Sequence, residues 1–508
     1  MATMNGQISS EYGNDDRNFD KNSIEAFYAE SVIFVTGATG FLGKALLEKL
    51  LRSCSRLATI FILIRPKQDQ TIDQRYKKLL ECSAFDKIRA RNPSILNKIY
   101  PVKGDVTLPN LGISPEDRMM LQQRVNIVFH SAATVRFDEP LKVAINMNTK
   151  GTERIIEFCR GIKNLISIVH VSTAYSNANR LEVEELVYAT KVKPSTMIDM
   201  CESLDEGTLN MMEKEILENH PNTYTFTKNL AEQIIQDKAK DLPIAIVRPS
   251  VVCAAEKEPF PGWVSNVNGL TGIFMEIGRG VIRTMPCNST LKSDAVPVDY
   301  VINTLICAAW YNTIQQNKTL KIYNCTDNCS NRLRWNALRD LVKKHAIESP
   351  TKYMLWYPGC TLIANKFMHN FMSITLHIFP AFIADFVLRL LGNKPVMVKH
   401  AKRSKRIMEV VNFFGIHEWT FHRENMNHLA KEMQTMKDCN NFNISIEHLN
   451  WDMYIHHYMI GIKKYILKEN LEALHVARSR LFVLYLVHRL TQISSIFILV
   501  SMILHVGH

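Results

Sequence analysis

Upstream of about residue 350, short apolar runs alternate with segments whose apolar residues recur at helical spacing. The β-branched run 32–35 precedes a glycine cluster, and the segment 44–51 that follows has the periodicity of a helix. Further apolar runs at 59–64, 125–129 and 165–171 predict additional strands. Strands that alternate with helices in this way predict an α/β fold built on a Rossmann-type, doubly wound parallel sheet.

The turn between the first strand and the first helix has the glycine spacing of a dinucleotide-binding loop. In that interpretation Gly37 allows the sharp turn, Gly40 allows the backbone to approach a pyrophosphate, and Gly43 allows the helix to pack close to the strand. The alternative is a glycine-rich loop without a ligand. The candidate cofactor contacts in the turn are Thr36, Gly37, Thr39, Gly40, Phe41, Leu42 and Gly43.

The second strand ends in Arg65-Pro66-Lys67, about 22 residues after Gly43. NAD enzymes usually place an acidic residue here for the ribose 2′-hydroxyl. A basic pair instead neutralises a 2′-phosphate, so Arg65 and Lys67 favour NADPH over NADH, and the planar guanidinium suits phosphate best. The alternative is that both residues end an edge strand in solvent.

Two later strands end in further candidate cofactor contacts. The strand that begins at Tyr100 ends near Asp105 and Val106, and Asp105 is a candidate partner for the adenine amino group. The strand 125–130 ends in His130, followed by small residues that leave room for a flat cofactor. We interpret His130 as a wall residue and do not include it in the catalytic set.

The candidate catalytic groups come from a strand end and a helix. Ser172 and Thr173 follow the strand 165–171, at the edge where open α/β sheets bind ligands, and their hydroxyls are suited to hold a carbonyl oxygen. Tyr224 and Lys228 lie four residues apart and face the same side of a helix. Because a nearby ammonium favours phenolate, we expect Lys228 to lower the pKa of Tyr224 and to hold the nicotinamide ribose. Tyr224 is the predicted general acid.

From about residue 22 to residue 470 the chain resembles the insect-type, alcohol-forming fatty acyl-CoA reductases, which are extended short-chain dehydrogenases with a male-sterility-type C-terminal domain. The resemblance rests on the motifs 25–28, 35–44, 63–67, 103–106, 129–137, 148–152, 170–175, 222–228, 247–250, 258–263 and 296–300. It implies an NADP-binding reductase domain at 31–345 and a smaller, mainly helical domain at 355–470. The segment 1–30 that precedes them is polar and acidic in composition.

The resemblance also implies the reaction. Two NADPH molecules reduce a long-chain acyl-CoA to a primary alcohol and free CoA through a bound aldehyde, while Thr173, Ser172 and Tyr224 stabilise the oxyanion. No acyl-enzyme is needed, so Cys253 is interpreted as a core residue. Two alternatives remain open: a membrane-bound NADP-dependent hydroxysteroid or dihydroflavonol-type dehydrogenase, and a dinucleotide-sensing scaffold without catalysis.

The charge and the cysteine content of the chain limit the kinds of binding partner that we expect. The chain has 61 basic and 49 acidic residues, a net charge of +12, and part of the excess lies in the run Lys399–Arg406. No nucleic-acid motif accompanies this charge, so dinucleotide, CoA phosphates and a membrane surface are better partners than nucleic acid, with an ordinary solvated helix face as the alternative. The eleven cysteines form no C-x-x-C pair, and no metal is predicted. The oligomeric state stays open.

The tail 481–506 is predominantly apolar and predicts a membrane anchor. Basic residues on its N-terminal flank predict one C-terminal span with the catalytic region in the cytosol, most consistent with the endoplasmic reticulum. An interfacial hairpin or a buried helix is the alternative. The apolar segment Phe371–Leu391 contains Pro380, Asp385 and Arg389, which argue against an independent span. It is interpreted as an acyl-tunnel wall, a bilayer contact or a packing helix.

Overall fold

A seven-stranded parallel sheet organises the reductase part of the chain. The computed structural model describes residues 22–67, 69–315, 319–327, 330–470 and 474–506, so most of the predicted polar segment 1–30 lies outside the described residues. The strands are β1 (Val32–Thr36), β2 (Thr59–Ile64), β3 (Ile99–Lys103), β4 (Ile127–His130), β5 (Ser167–Val171), β6 (Glu182–Val183), β7 (Ile244–Pro249), β8 (Val251–Cys253), β9 (Thr284–Met285), β10 (Ala295–Pro297), β11 (Lys321–Cys325), β12 (Thr361–Leu362) and β13 (Thr420–Phe421).

Helices cover both faces of the sheet and form most of the C-terminal region. The α-helices up to residue 348 are α1 (Ile24–Phe27), α2 (Phe41–Ser53), α3 (Ile72–Leu80), α4 (Asp86–Arg91), α5 (Pro115–Arg124), α6 (Leu141–Ala144), α7 (Lys150–Arg160), α8 (Pro194–Ser203), α9 (Glu206–Ile216), α10 (Thr223–Lys238), α11 (Leu270–Gly278), α12 (Val298–Ile314) and α13 (Trp335–Glu348). The later ones are α14 (Lys366–Ser373), α15 (Phe379–Leu390), α16 (Met397–Ile416), α17 (Glu424–Gln434), α18 (Trp451–Gly461) and α19 (Leu474–Val506).

The strand order in the large sheet is β11-β7-β5-β4-β1-β2-β3, with every neighbouring pair parallel. The order reverses at β1 and β4, which is where doubly wound sheets bind their ligands. All residues of β2, β5 and β7 are buried, as expected for strands that are covered on both faces. The predicted Rossmann-type sheet and the mainly helical C-terminal part are confirmed.

The C-terminal region is attached to the reductase part through β13, which pairs in parallel with β6. The buried Glu185 carboxylate strengthens this attachment, because it accepts hydrogen bonds from the backbone N–H groups of Asn324, Asn425 and Met426. Asn425 and Met426 belong to the first turn of α17, whose N-terminal end favours a nearby negative charge. The segment that leads from α16 into α17 is thereby held close to the edge of the sheet.

Candidate active site

The glycine turn has the tight geometry that its sequence predicts. Gly37 adopts φ +74°, and a Cβ atom there would lie 2.7 Å from the backbone of Ser131 and Ala132. A Cβ atom on Gly43 would lie 2.4 Å from the carbonyl oxygen of Gly37. A side chain at Gly37 or Gly43 is therefore excluded by backbone atoms. The N-terminus of α2 lies at the carboxyl end of β1, where its free N–H groups suit an anion.

The hydroxyl groups of the turn connect it to its neighbours. The Thr36 hydroxyl lies 2.8 Å from Nδ1 of His130 and accepts a hydrogen bond from the Ala132 N–H. His130 also contacts the Thr152 hydroxyl, at 3.2 Å. Burial lowers the pKa of His130 to about 3, so this histidine is neutral. Both of its ring nitrogens have partners, which agrees with its interpretation as a wall residue.

A basic group stands beside the turn, and one of its members was not found from the sequence. The guanidinium of Arg75, on α3, donates to the Thr39 hydroxyl at 3.3 Å and to the backbone carbonyl of Arg65. Burial and then the positive charge of Arg65 lower the pKa of Arg75, whereas Asp105 raises it. Arg65 and Lys67 are both exposed. The positive charges of Arg65 and Arg75 therefore lie together beside the turn. The sequence signal that could have identified Arg75 is a basic residue one turn into the helix that follows β2.

Asp105 and Val106 lie in the loop after β3. Oδ1 of Asp105 accepts hydrogen bonds from the N–H and the hydroxyl of Thr107, each at 2.9 Å. Val106 is buried, and its carbonyl oxygen accepts a hydrogen bond from Arg154. The structure thus brings Asp105 close to the charges of the basic group, at the same edge of the sheet as the glycine turn.

Ser172 and Thr173 follow β5 directly but have different partners. The Ser172 hydroxyl donates to Oε1 of Glu232, on α10. Thr173 lies close enough to Tyr224 to lower its pKa. The Thr173 hydroxyl accepts a hydrogen bond from the Tyr175 N–H at 3.2 Å and donates to the Pro249 carbonyl at 3.5 Å. Of the two predicted hydroxyls, Thr173 is therefore the one beside the candidate acid, and Ser172 is committed to a buried carboxylate.

Tyr224 and Lys228 lie in the first two turns of α10, which Asn222 caps by accepting a hydrogen bond from the Thr225 N–H. The Lys228 ammonium donates to the carbonyl oxygen of Val171, the last residue of β5, at 2.7 Å. The helix therefore presents its tyrosine and lysine to the carboxyl end of the central strand. This is the edge of the sheet that carries the glycine turn.

The pKa of Tyr224 moves in the direction opposite to the prediction. Burial raises it to about 12, and the nearby Thr173 side chain lowers it only in part. Burial also lowers the pKa of Lys228 to about 8, although Glu232 acts in the opposite direction. The expectation failed because the sequence shows the neighbouring charge but not the loss of solvent around both groups. A phenol with this pKa stays protonated at neutral pH and remains able to donate its proton.

The buried ion pair between Arg248 and Glu232, which the Ser172 hydroxyl contacts, was not predicted from the sequence. Arg248 and Glu232 both have fully buried side chains, and Nη2 lies 2.6 Å from Oε2. The remaining donors of Arg248 reach the carbonyl oxygens of Glu184 and Leu186. Ser176 adds another hydrogen bond to Glu232. The sequence contains these residues, but nothing in their spacing indicates that they meet.

Aromatic residues from both parts of the chain surround Tyr224. Phe137 stacks on the Tyr224 ring, with centroids 5.8 Å apart. Phe414, near the end of α16, contacts both Phe137 at 5.6 Å and Tyr175 at 5.0 Å. Trp419 also contacts Tyr175. The C-terminal region therefore contributes a wall to the site, and the apolar lining suits an aliphatic chain.

A π-helical turn, Ile145–Thr149, lies between α6 and α7, next to α10. Within it, Asn148 is buried and donates to the Thr227 hydroxyl at 2.9 Å and to the Thr134 carbonyl. Thr149 donates to the carbonyl oxygen of Thr227. Turns of this kind are frequent at functional sites. Here the turn holds the second turn of α10, the helix that carries Tyr224 and Lys228.

Among the described residues, His345, Glu348 and His456 are close enough together to hold a metal ion. They lie on α13 and α18, and not at the carboxyl edge of the sheet. His345 already contacts the carboxylates of Glu348 at 2.7 Å and Asp452 at 3.0 Å. The predicted reaction needs no metal ion. That the protein binds none stays a prediction.

Comparison with known proteins agrees with this geometry. Two families, each described as "Male sterility protein", match residues 35–305, as an NAD-binding domain, and residues 376–469. The terminal reductase domain of the myxalamid biosynthetic pathway superposes with a TM-score of 0.56 at 18% identity, covering 86% of this chain and 92% of that one. A nonribosomal peptide synthetase reductase domain from Mycobacterium tuberculosis gives 0.56 at 16%, covering 88% and 93%. The fold and the family together define a nicotinamide-dependent oxidoreductase.

Proteins of similar sequence identify the family within this class of nicotinamide-dependent oxidoreductases. Fatty acyl-CoA reductase 1 of Rattus norvegicus is 38% identical over 459 residues, covering 90% of this chain and 89% of its own length. A putative fatty acyl-CoA reductase of Drosophila melanogaster is 37% identical over 478 residues, covering 93% and 92%. The chain belongs to the fatty acyl-CoA reductase family, and the resemblance seen in the sequence is confirmed.

Proposed function

We propose that this protein reduces long-chain acyl-CoA to a primary fatty alcohol and free CoA, through a bound aldehyde, with two molecules of NADPH. The observation that carries the proposal is that Lys228, on the same helix as Tyr224, donates to the carbonyl oxygen of Val171 at the carboxyl end of β5, where Thr173 also lies. The apolar wall of Phe137 and Phe414 beside this group supports an aliphatic substrate.

The residues present fit a bound NADPH. Gly37 and Gly43 leave a turn without side-chain bulk at the N-terminus of α2, and Arg65, Lys67 and Arg75 offer positive charge for a 2′-phosphate. Asp105, Val106 and the remaining residues of the turn, 36–43, complete the proposed cofactor contacts. Bound NADPH supplies the hydride for each of the two reductions.

In the proposed mechanism the protein stabilises and protonates the substrate oxygen. Thr173 and Tyr224 would donate hydrogen bonds to the thioester carbonyl oxygen as negative charge develops on it, which favours addition of hydride to the carbonyl carbon. The C–S bond then breaks as the carbonyl group forms again, and CoA leaves as the thiolate while the aldehyde stays bound. In the second reduction Tyr224 donates its proton to the aldehyde oxygen and yields the alcohol. Lys228 holds the nicotinamide ribose, and Ser172 keeps the strand end in place through Glu232.

The proposed reaction is tested by incubating the membrane fraction that contains the protein with NADPH and a panel of long-chain acyl-CoAs, followed by identification of the lipids. Fatty alcohol that forms with two NADPH consumed per molecule supports the proposal. Oxidation of a secondary alcohol without thioester turnover contradicts it and favours a hydroxysteroid or dihydroflavonol-type dehydrogenase. Binding of NADPH without turnover of either substrate class favours a sensing scaffold.

Replacing Arg75 with alanine is expected to weaken NADPH binding by about 10- to 100-fold, because a charge-assisted hydrogen bond contributes about 1.5–3 kcal/mol. NADH binding is expected to change little, since NADH has no 2′-phosphate. The measurement is the Kd of each dinucleotide by fluorescence titration. Lys78→Ala, an exposed position on the same helix, is the matched control. Equal losses for NADPH and NADH in Arg75→Ala mean that Arg75 only supports the fold.

Activity is expected to fall as the pH rises through about 8, the pKa to which burial lowers Lys228. The lysine is charged below this pH and neutral above it, so its bond to an anionic or hydroxylated partner weakens on the alkaline side. Tyr224 stays protonated over the same range. The kcat/KM profile from pH 6 to pH 10 measures the effect. In Lys228→Arg the guanidinium stays charged, and an unchanged alkaline limb in that variant contradicts the assignment.

We also propose that α19 anchors the protein in a membrane, with the catalytic region on the cytosolic side, most consistent with the endoplasmic reticulum. The helix is continuous from Leu474 to Val506, and its apolar side chains Phe482, Leu490, Ile493 and Phe497 are exposed. The side chains beyond residue 501 lie outside the described ones.

Ending the chain after Ser479 is expected to move most of the protein from the membrane pellet to the fraction that salt and alkaline carbonate together extract. The fractions are measured by immunoblot after ultracentrifugation, with the full chain as the control. A truncated protein that still resists extraction by both salt and alkaline carbonate contradicts an anchor confined to the tail.

A further inference from the structure

The helical segment Lys366–Leu390 has a distribution of polar and apolar residues that is the reverse of an ordinary surface helix. It runs through α14, the π-helical turn Ile374–Ile378 and α15. Its buried side is His369, Ser373, His377, Ala381 and Asp385, at a constant spacing of four residues. Its outer side is apolar: Phe367, Phe371, Ile374, Phe379, Phe382, Ile383, Phe386 and Leu390 are each at least 50% exposed. We call this outer side the apolar face.

Hydrogen bonds hold the polar side of the segment to its neighbours at two places, near His377 and at Asp385. Nε2 of His377 accepts a hydrogen bond from the Arg283 N–H at 2.9 Å, and the Arg283 guanidinium donates to the Leu376 carbonyl. The Asp385 carboxylate accepts hydrogen bonds from the N–H groups at 396, 397 and 398, at 2.8–2.9 Å, and so caps the N-terminus of α16. Asp385 is therefore satisfied internally and does not interrupt the apolar face.

Several side chains of helix α19 lie outside the described ones. By length and composition, the segment Lys366–Leu390 is the one helix among the described residues that could cross a membrane. Its attachment argues against that orientation. A 25-residue helix is about 37 Å long, and a span of that length must leave the protein body. Here the buried stripe runs from His369 to Asp385, and the segment packs on β9 through α14 and on α16 through α15. The geometry fits a helix that lies parallel to a surface, with its apolar face outward.

Charge near the apolar face indicates a lipid surface. The exposed residues Lys366, Arg389 and Lys394 lie at the two ends of the segment. Five further basic residues of α16, the helix that packs against α15, are exposed: Lys399, Lys402, Arg403, Lys405 and Arg406. An apolar helix face with flanking lysine and arginine residues binds at the boundary between acyl chains and phosphate headgroups.

The proposed anchor is attached to the same point of the protein. The Trp356 indole donates to Nδ1 of His488, on α19, at 3.1 Å. The Arg283 guanidinium lies over the Trp356 ring, 4.9 Å from its centroid. Arg283 thus contacts both the segment with the apolar face and the residue that holds the apolar C-terminal helix. The two exposed apolar surfaces are neighbours.

The apolar face is also connected to the catalytic group. Helix α16 packs against α15 and carries Phe414 near its C-terminal end. Phe414 contacts Phe137, which stacks on Tyr224. The packed helices α15 and α16, together with Phe414 and Phe137, therefore connect the apolar face to Tyr224, the proposed acid.

We propose that the apolar face of residues 366–391 lies in the plane of one leaflet of the bilayer, and that long-chain acyl substrates pass from that leaflet to Tyr224 beside α16. The second part rests on the proposed function. This surface acts in addition to the α19 anchor, and it does not cross the membrane.

The orientation is tested with the full chain reconstituted into sealed vesicles of phosphatidylcholine and phosphatidylserine. Lys366→Cys and Lys394→Cys, at the two ends of the segment, are expected to react with a membrane-impermeant maleimide from the same side as Met211→Cys on the reductase part. Phe382→Cys is expected to be protected by the vesicles. Each site is read from its own peptide by mass spectrometry. Labelling of 366 and 394 from opposite sides shows a span, and rapid labelling of 382 shows a face that lipid does not cover. Either result overturns the proposal.

The delivery role is tested with the double variant Phe382→Glu/Phe386→Glu in the full chain, with Met119→Glu/Met211→Glu as a control at exposed apolar positions elsewhere. The first pair is expected to raise KM for a vesicle-borne long-chain acyl-CoA at least tenfold and to leave kcat for a short, water-soluble acyl-CoA unchanged. An unchanged long-chain KM overturns delivery through this face. Loss of both activities with a lowered unfolding temperature shows a packing role and also overturns it. An unmodified protein that reduces neither substrate overturns the proposed function, while the labelling experiment still decides the orientation.

Discussion

Replacing Tyr224 with phenylalanine is expected to lower kcat by about 10²- to 10⁴-fold, the range that general acid catalysis contributes. The substitution removes one hydroxyl group and keeps the ring that stacks on Phe137. NADPH binding is expected to stay within about threefold of the wild type, because the turn and the basic group at Arg65 and Arg75 are unaffected. The measurements are single-turnover reduction of acyl-CoA and fluorescence titration with NADPH.

Tyr175→Phe is the matched control for this experiment. Tyr175 belongs to the same aromatic wall, through Phe414 and Trp419, but it has no assigned proton. We expect this variant to retain activity within a few-fold. If Tyr224→Phe keeps its turnover, Tyr224 is not the acid. An equal loss in both variants also contradicts the assignment, because a hydroxyl without an assigned proton then matters as much as that of Tyr224.

Sequence patterns were sufficient to predict those parts of the structure that depend on residues close together in the chain. The strand, turn and helix around Gly37 and Gly43 depend on residues that are close in sequence, so their spacing predicted a turn whose glycines exclude side chains. The four-residue spacing of Tyr224 and Lys228 placed them together for the same reason, because a helix converts sequence spacing into direction. The doubly wound parallel sheet also followed from the alternation of strands and helices, whereas the strand order was not predicted.

Features that depend on tertiary packing could not be predicted in this way. Arg75 reaches Thr39 from another helix, and Phe414 reaches Phe137 from the C-terminal region. Asp385 reads in the sequence as a charge that interrupts an apolar run, yet it caps α16 and is hidden from the outer face. The pKa of Tyr224 was predicted in the wrong direction because desolvation is a property of the folded surroundings.

The buried pair Glu232 and Arg248 leads to the largest expected effect on stability. Glu232→Gln keeps the shape of the side chain but leaves the Arg248 charge without a counterion, at a site where neither side chain is exposed. Breaking a buried ion pair by removing one partner costs about 3–5 kcal/mol. The free energy of unfolding, from urea titration followed by tryptophan fluorescence, measures the loss. Asp241→Asn, in the exposed pair with Arg160, is the control and is expected to cost less than about 1 kcal/mol.

The Glu232→Gln substitution also distinguishes a role of Glu232 in stabilising the fold from a role in positioning the active site. Ser172 and Ser176 both donate to Oε1 of Glu232, and Glu232 lies one helical turn after Lys228. If the network positions the strand end, Glu232→Gln lowers kcat at temperatures where the protein is still folded, and the additional change Arg248→Met recovers stability more than it recovers kcat. A variant that is destabilised but has normal kcat below its unfolding temperature shows that the pair supports the fold alone.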